Sequence, residues 1–259
     1  MTHFLTLDGR RLEYVWFGPP PGGEGPCLVL LHEGLGSIAL WRDFPEKLAA
    51  ATGCRVLVYS RLGYGASDPC DLPRPLDYMQ REAREGVPRV LAALGVGECV
   101  LIGHSDGGSI ALAYAGGPDT ARLRGLILEA PHVFVEDFGL RAIAAARDAY
   151  AQGDLRARLQ KYHSRDVDCA FWGWCDAWLD PDFRRWNIEN FLPNVRAPCL
   201  VLQGADDQYG TLAQVEAIEK GVRGPVETRV LADCGHSPHV DQTQATLEAM
   251  AAFIDRLRP

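Results

Sequence analysis

Short runs of apolar residues alternate along the chain with longer stretches in which apolar residues recur every three or four positions. The short runs lie at 27–31, 54–59, 99–102, 126–128, 199–202 and 226–231. The longer stretches lie near 40–50, 78–94, 110–115, 212–220 and 243–257. Continuous short runs are typical of buried strands, and the longer spacing is typical of amphipathic helices. The alternation predicts an α/β fold, in which a mostly parallel sheet is covered by helices on both faces.

The first residues follow a different pattern. Two short segments, 4–7 and 11–17, flank the dipeptide Asp8-Gly9. Asp-Gly between two strand-like segments is a signal for a type I′ turn. We therefore expect an antiparallel hairpin at the start of the chain, followed by a Pro- and Gly-rich loop over 19–26.

The alternation stops over about sixty residues, where helical patterns dominate. This stretch carries four of the six tryptophans, which are Trp172, Trp174, Trp178 and Trp186. We predict a helical cap at 134–195, inserted between two parts of one core, 1–133 and 196–259. The tryptophans either pack a small core of the cap or face a substrate, because aromatic side chains are common anchors in small-molecule sites. We expect Trp172 and Trp174 to contact substrate.

Charge and composition exclude several classes of protein. The 259 residues are 47% hydrophobic and carry a net charge of −8, so an anionic partner such as nucleic acid or an acidic membrane would be repelled overall. The start of the chain has no secretory pattern, and no apolar run approaches the ~18 residues that span a bilayer. We expect a cytoplasmic monomer or homodimer whose partner is a small-molecule substrate.

The cysteines add no site. The chain has eight of them, with no C-x-x-C pair, and four lie at edges of the apolar runs. Free cysteine packs as a small hydrophobic residue, and a cytoplasmic location keeps thiols reduced. We therefore predict reduced and mostly buried thiols.

A glycine-flanked serine joins an apolar run to an Ala-rich helical stretch. Residues 101–108 read LIGHSDGG and contain the pattern G-x-S-x-G around Ser105. A sharp turn from strand to helix strains the serine backbone, admits only small neighbours and exposes Oγ. The pattern predicts that Ser105 is a nucleophile.

A serine nucleophile needs a base, and the base needs a carboxylate to orient it. Two downstream segments, 203–208 (QGADDQ) and 234–239 (CGHSPH), each follow a predicted strand and supply an acid and then a histidine. Ligand chemistry in open α/β sheets collects at the carboxyl ends of the strands. We expect these segments to converge on Ser105.

Several motifs together resemble the α/β-hydrolase superfamily over essentially the whole chain outside the cap. They are HEGLG at 32–36, RLGYG at 61–65, the turn around Ser105, GADD at 204–207 and GH at 235–236. The resemblance implies an α/β-hydrolase fold with an eight-stranded, mostly parallel sheet. It selects Asp207 as the acid and His236 as the base. It places the oxyanion-binding N–H groups at Gly34 and Asp106, implies that His32 supports the loop of Gly34, and implies no cofactor.

Two carboxylates depart from the common pattern of the superfamily. Glu33 stands where glycine is usual, and Asp106 directly follows the nucleophile. An unpaired carboxylate about 7 Å from the developing oxyanion would cost ~2 kcal/mol at an effective dielectric of 20. We expect Arg61 to pair with Glu33. Asp106 either caps the following helix or recognises a substrate cation, because Ser-Asp-Gly-Gly resembles the turn of biphenyl-hydrolase-like α-amino-acid ester hydrolases.

These observations predict a serine hydrolase that cleaves a small carboxylic ester. The candidate substrate contacts are Asp106, Glu33, His132, Trp172 and Trp174. No metal site is expected, because His32 and His104 fit no known ligand spacing. Cleavage of α-amino esters, thioesters or carbon–carbon bonds uses the same triad and stays open. A small-molecule receptor built on the same fold is the alternative outside enzymes.

Overall fold

The structure is a computed structural model that describes residues 2–20 and 25–258. Its centre is an eight-stranded sheet with the order β1-β2-β4-β3-β5-β6-β7-β8. The strands are β1 His3–Leu7, β2 Arg10–Phe17, β3 Cys27–Leu31, β4 Val56–Tyr59, β5 Cys99–His104, β6 Leu123–Glu129, β7 Cys199–Gly204 and β8 Val226–Leu231. Part of the predicted loop over 19–26 lies outside the described residues. The predicted mostly parallel, eight-stranded sheet is confirmed.

The expected hairpin forms the antiparallel end of the sheet. Asp8 and Gly9 both have positive φ, 50° and 79°, as a type I′ turn requires. β1 pairs with β2, and β2 pairs antiparallel with β4. All remaining pairs, from β4 to β8, are parallel. The carboxyl ends of β3 to β8 therefore meet at one edge.

Helices cover both faces of the sheet. They are α1 Phe44–Thr52, α2 Tyr78–Arg81, α3 Val87–Ala93, α4 Asp106–Ala115, α5 Asp137–Gln152, α6 Leu155–Leu159, α7 Val167–Leu179, α8 Leu212–Gly221, α9 Pro238–Asp241 and α10 Thr243–Asp255. A turn of π-helix, Glu82–Gly86, links α2 to α3. Along β3, Leu28 and Leu30 pack with α1 and α10, whereas Val29 and Leu31 belong to the cluster on the opposite face. This alternation makes two cores from one buried strand.

The segment between β6 and β7 is helical. It contains α5, α6 and α7, followed by 3-10 turns at Pro181–Arg185 and Glu189–Asn194. α5 packs on α7 through Tyr150 and Phe171, whose rings stack at 3.7 Å. His163, between α6 and α7, accepts a hydrogen bond from the Gly65 backbone at 3.0 Å and contacts the Leu35 carbonyl at 2.9 Å. These contacts hold the helical segment against loops at the carboxyl edge of the sheet.

All cysteines lie within the described residues, and none forms a disulfide. The thiols of Cys70 and Cys169 lie 3.4 Å apart, across the contact between the loop after β4 and α7. Between residues 2 and 258, leaving aside 21–24, no helix is long and apolar enough to cross a membrane.

Candidate active site

Ser105 occupies the turn between β5 and α4. Its backbone has φ 53° and ψ −116°, a conformation that costs on the order of 1–3 kcal/mol and is found at functional sites. The flanking glycines are sterically required. A Cβ on Gly103 would lie 2.2 Å from the Gly107 carbonyl oxygen, and one on Gly107 would lie 2.0 Å from that of Leu31. Close packing of strand, turn and helix thus holds Ser105 in the strained conformation.

Asp207 follows β7 and holds His236, which follows β8. The Nδ1 atom of His236 lies 2.9 Å from both carboxylate oxygens of Asp207. Asp207 also accepts from the Gln203 amide at 2.7 Å and from the Tyr209 backbone N–H at 2.8 Å. Burial opposes ionisation of Asp207, but the contact with His236 outweighs it and lowers the pKa to about 2. The carboxylate is therefore ionised at neutral pH and fixes the proton of His236 on Nδ1.

Ser105 and His236 line the same cavity. With the proton on Nδ1, Nε2 of His236 has a free lone pair, as a general base needs. Among the described residues, no hydrogen bond of 3.5 Å or less joins Ser105 Oγ to this ring. Such contacts are commonly long before substrate binds. The arrangement brings the predicted acid, base and nucleophile to one place.

Two backbone N–H groups can face a developing oxyanion. Asp106 is the first residue of α4, where backbone N–H groups have no partner within the helix. Gly34 follows β3, in a loop held by His32, which contacts the Glu33 carbonyl at 2.7 Å through Nδ1 and accepts from the Arg61 N–H at 3.1 Å through Nε2. Burial lowers the pKa of His32, so its ring is neutral and one nitrogen can accept.

The expected ion pair between Glu33 and Arg61 is wrong. The Arg61 guanidinium donates to the backbone carbonyls of His32 and Glu33. The Glu33 carboxylate instead lies 3.5 Å from Nδ1 of His104. Burial opposes ionisation of Glu33, but the His104 contact holds its pKa below the usual range. The counter-charge of Glu33 comes from the residue before the nucleophile.

Neither interpretation of Asp106 anticipated its partners. Its side chain caps no backbone N–H of α4. It accepts from the Tyr78 hydroxyl and, at 3.3 Å, from Nε1 of Trp178. Burial raises the pKa of Asp106, while Arg61, the hydrogen bonds and Arg74 oppose that rise. The carboxylate is held by neutral donors rather than by a neighbouring cation.

The cavity over Ser105 has a volume of about 190 Å³. Its wall includes Glu33, Asp106, His132, Trp174 and Trp178. A Cβ on Gly34 would lie 2.2 Å from Nε1 of Trp174, so that indole packs directly on the oxyanion loop. Burial is the main cause that lowers the pKa of His132 to about 3, which makes it a neutral wall residue.

Trp172, which the sequence predicts as a substrate contact, is not part of this wall. It packs edge-on against Tyr150 and Phe171, with ring centroids 5.4 and 5.1 Å away. Trp178 lines the cavity instead, and it is not among the candidate substrate contacts that the sequence predicts. The signal was available, because Trp174 and Trp178 are four residues apart and share a helix face, whereas Trp172 is two residues from Trp174. Tyr78 had no comparable signal, since nothing local places it beside Asp106.

Within the described ranges, no group of three His, Cys, Asp or Glu side chains is arranged to hold a metal ion.

Comparison with known proteins agrees with this architecture. The sequence profile of the alpha/beta hydrolase family matches residues 28–249. This chain belongs to the alpha/beta hydrolase family.

Individual relatives are more distant. The human serine hydrolase BPHL is 29% identical over 233 residues, which cover 85% of this chain and 75% of that protein. The N-formylmaleamate deformylase of Pseudomonas putida is 25% identical over 272 residues, which cover 97% of this chain and 95% of that protein. Among solved structures, an esterase from Rhodococcus superposes with a TM-score of 0.74 at 22% identity over 99% of both chains. An enol-lactonase from Burkholderia xenovorans superposes with a TM-score of 0.75 at 19% sequence identity, over 98% of this chain and 100% of that chain. The relatives are hydrolases of differing chemistry, and the structures share the fold.

Proposed function

We propose that this protein is a serine hydrolase that cleaves small carboxylic esters through an acyl-enzyme on Ser105. The observation that carries the proposal is the contact of His236 Nδ1 with both oxygens of Asp207, 2.9 Å each, beside a cavity that His236 shares with Ser105. This arrangement supports acyl transfer, which requires an acid that orients a base beside the nucleophile.

In the first half of the reaction, Ser105 Oγ attacks the ester carbonyl carbon and His236 Nε2 takes the hydroxyl proton. Asp207, ionised at neutral pH, stabilises the imidazolium that forms. The N–H groups of Gly34 and Asp106 donate to the oxyanion, and each such donor is worth roughly 2.7–4 kcal/mol in serine hydrolases. The C–O bond then breaks, and the leaving alkoxide takes the proton from His236.

In the second half, a water molecule attacks the acyl carbon and gives its proton to His236. The oxyanion again accepts from the two N–H groups. When the bond to Ser105 breaks, Oγ recovers its proton from His236 and the carboxylic acid leaves. No other group is needed to balance the reaction.

The size of the cavity favours small acyl groups. An apolar cavity of roughly 150 Å³ can hold benzene, and the cavity here is about 190 Å³. Leu35, Ile143, Trp174 and Trp178 make much of its wall apolar. We therefore expect short-chain or single-ring acyl groups.

An α-amino ester is the second candidate, because two carboxylates, Glu33 and Asp106, line the cavity. Each carboxylate already has partners, however. Glu33 contacts His104, and Asp106 accepts from Tyr78 and Trp178. A substrate ammonium would have to compete with these groups, which favours the uncharged ester.

The test is kcat/KM for a set of aryl esters with acetyl, butyryl and benzoyl groups, with Ser105→Ala as the blank. The set includes a matched thioester, an N-formyl amide, and an α-amino acid ester beside its uncharged isostere. Hydrolysis of the uncharged esters, lost in Ser105→Ala, would support the proposal. A preference of more than about tenfold for the amine would favour the α-amino ester hydrolase.

Labelling with a fluorophosphonate separates the remaining outcomes. A mass increase on Ser105 with rapid turnover of an ester agrees with the proposal. Labelling without turnover of any substrate in the set would favour a receptor. Turnover of the thioester or amide alone would overturn ester cleavage while keeping the triad, and turnover that survives Ser105→Ala would overturn the triad itself.

A further inference from the structure

His104 lies immediately before the nucleophile and is buried, yet the mechanism does not use its side chain. Its Nε2 atom lies 2.6 Å from the backbone carbonyl oxygen of His236. Its Nδ1 atom lies 3.5 Å from a carboxylate oxygen of Glu33. One ring therefore joins the loop that follows β3 to the loop that follows β8.

The two partners of His104 fix its protonation state. A carbonyl oxygen can only accept, so Nε2 must carry a proton. Nδ1 is buried and makes no hydrogen bond with any described residue, but it lies 3.5 Å from the Glu33 carboxylate, where a lone pair would be repelled and a proton attracted. This geometry favours a hydrogen on both nitrogens, which makes the ring an imidazolium. Burial opposes this charge, but the contact with Glu33 and the further charge of Glu129 raise the pKa of His104 to about 9.

We propose that the His104 imidazolium, with Glu33 as its counter-ion, is a positioning residue that sets the oxyanion loop and the catalytic histidine relative to each other. Glu33 directly precedes Gly34, and the carbonyl that His104 holds belongs to His236 itself. Catalytic geometry must be kept within about 0.5 Å. The catalytic part of this inference rests on the proposed function, whereas the charge state of His104 does not.

A second buried pair lies against His104. Glu129, at the end of β6, contacts His239 Nδ1 at 2.8 Å. The His239 ring centroid is 5.1 Å from that of His104, as is the ring of His236. The charged and titratable groups that face or lie near His104 include Glu33, Glu129, His132, His236 and His239. Because Glu129 remains when Glu33 is neutralised, we expect Glu33→Gln to lower the His104 titration midpoint without abolishing protonation.

The first test follows the histidines by ¹⁵N NMR and needs no turnover. In the wild type we expect both nitrogens of His104 to be protonated at pH 7.5, with a titration midpoint above pH 8. Glu33→Gln should lower that midpoint by at least about one pH unit. Glu82→Gln, which removes a different, partly buried carboxylate that accepts from Tyr59, should leave it unchanged. A His104 that is neutral at pH 7 in the wild type would overturn the proposal.

The second test measures kcat for the best ester as a function of pH, and in particular the fall of kcat at alkaline pH, which we call the alkaline limb. The wild type should lose kcat as pH rises through about 9, and Glu33→Gln should move this limb to lower pH by at least about one unit. His104→Gln, whose amide can still donate to the His236 carbonyl, should remove the limb and lower kcat at pH 7.5 by about tenfold. KM should change by less than about threefold.

One further variant and a folding measurement protect this test against misfolding. Glu33→Asp keeps the charge and should keep the limb near its wild-type position, and melting curves check that each variant folds. If Glu33→Gln lowered kcat by the same factor at every pH and left the alkaline limb where it is in the wild type, the pair of His104 and Glu33 would be a structural contact only. If no ester is hydrolysed while NMR shows the imidazolium, the proposed function fails and the charge assignment stands.

Discussion

The carboxyl edge of the sheet and the helix α7 reach the same cavity by different routes. At the edge, Ser105, Asp207 and His236 each follow a strand, and backbone packing or several hydrogen bonds hold them. On α7, Trp174 and Trp178 reach the cavity through side-chain packing. Groups fixed by the backbone suit chemistry that needs exact placement, whereas groups fixed by packing can change with the ligand. We therefore expect changes at the edge to affect kcat and changes on α7 to affect selectivity.

The largest effect should come from Asp207→Asn. The asparagine N–H₂ can donate to Nδ1 of His236 and favour the wrong tautomer, and the neutral amide does not stabilise the imidazolium, so kcat should fall by about 10⁴ in steady-state ester hydrolysis. The matched control is Asp206→Asn, because Asp206 is the adjacent exposed residue. A large loss in the control, or a small one in Asp207→Asn, would contradict the assignment of the acid.

On α7, Trp174→Ala should change substrate preference. The indole packs on Gly34 and lines the cavity, so its removal enlarges the acyl site. We expect the ratio of kcat/KM for benzoyl over acetyl ester to rise by roughly 10- to 100-fold, the range that hydrophobic pockets provide. If the ratio stayed the same and only kcat fell, Trp174 would act like the catalytic groups at the carboxyl edge of the sheet and not as a selectivity residue.

Trp172→Ala is the contrasting change on the same helix. Trp172 packs on Tyr150 and Phe171 away from the cavity, so the variant should lose roughly 1–3 kcal/mol of unfolding free energy. Denaturant titration measures this loss, and the acyl preference should stay within about twofold of the wild type. A shift in preference with unchanged stability would return Trp172 to the substrate site.

The smallest effect concerns charge recognition. Because Asp106 is buried and already accepts from Tyr78 and Trp178, Asp106→Asn should change the ratio of kcat/KM between an α-amino ester and its isostere by less than about threefold. A fall in this ratio of more than about tenfold would show that the carboxylate reads a substrate ammonium.

The sequence predicted those parts of the site that follow directly from the positions of the strands. Ser105, Asp207 and His236 follow strands whose apolar runs are plain in the chain, and parallel strands must bring their carboxyl ends together. The partner of Glu33 could not be found this way, because the direction of a loop side chain depends on neighbours far along the chain. The sequence favoured Arg61, but its guanidinium donates to two backbone carbonyls instead of pairing with the Glu33 carboxylate.

The positions of the tryptophans could be predicted only in part from the sequence. The chain predicted an aromatic helical segment near the substrate, and helical spacing would have separated Trp172 from Trp174 and Trp178. Composition alone could not do so, because all three residues are equally apolar. Tyr78 shows the limit, since it meets Asp106 only once two segments 28 residues apart have packed.

One helix touches both residues that would bind the oxyanion. α7 covers Gly34 with Trp174 and donates to Asp106 through Trp178. Any displacement of α7 away from the cavity would therefore remove a hydrogen-bond donor from Asp106 and uncover the oxyanion loop in the same movement. Entry of substrate and readiness for reaction are mechanically linked, so directed evolution of α7 for larger substrates will select on turnover as much as on fit.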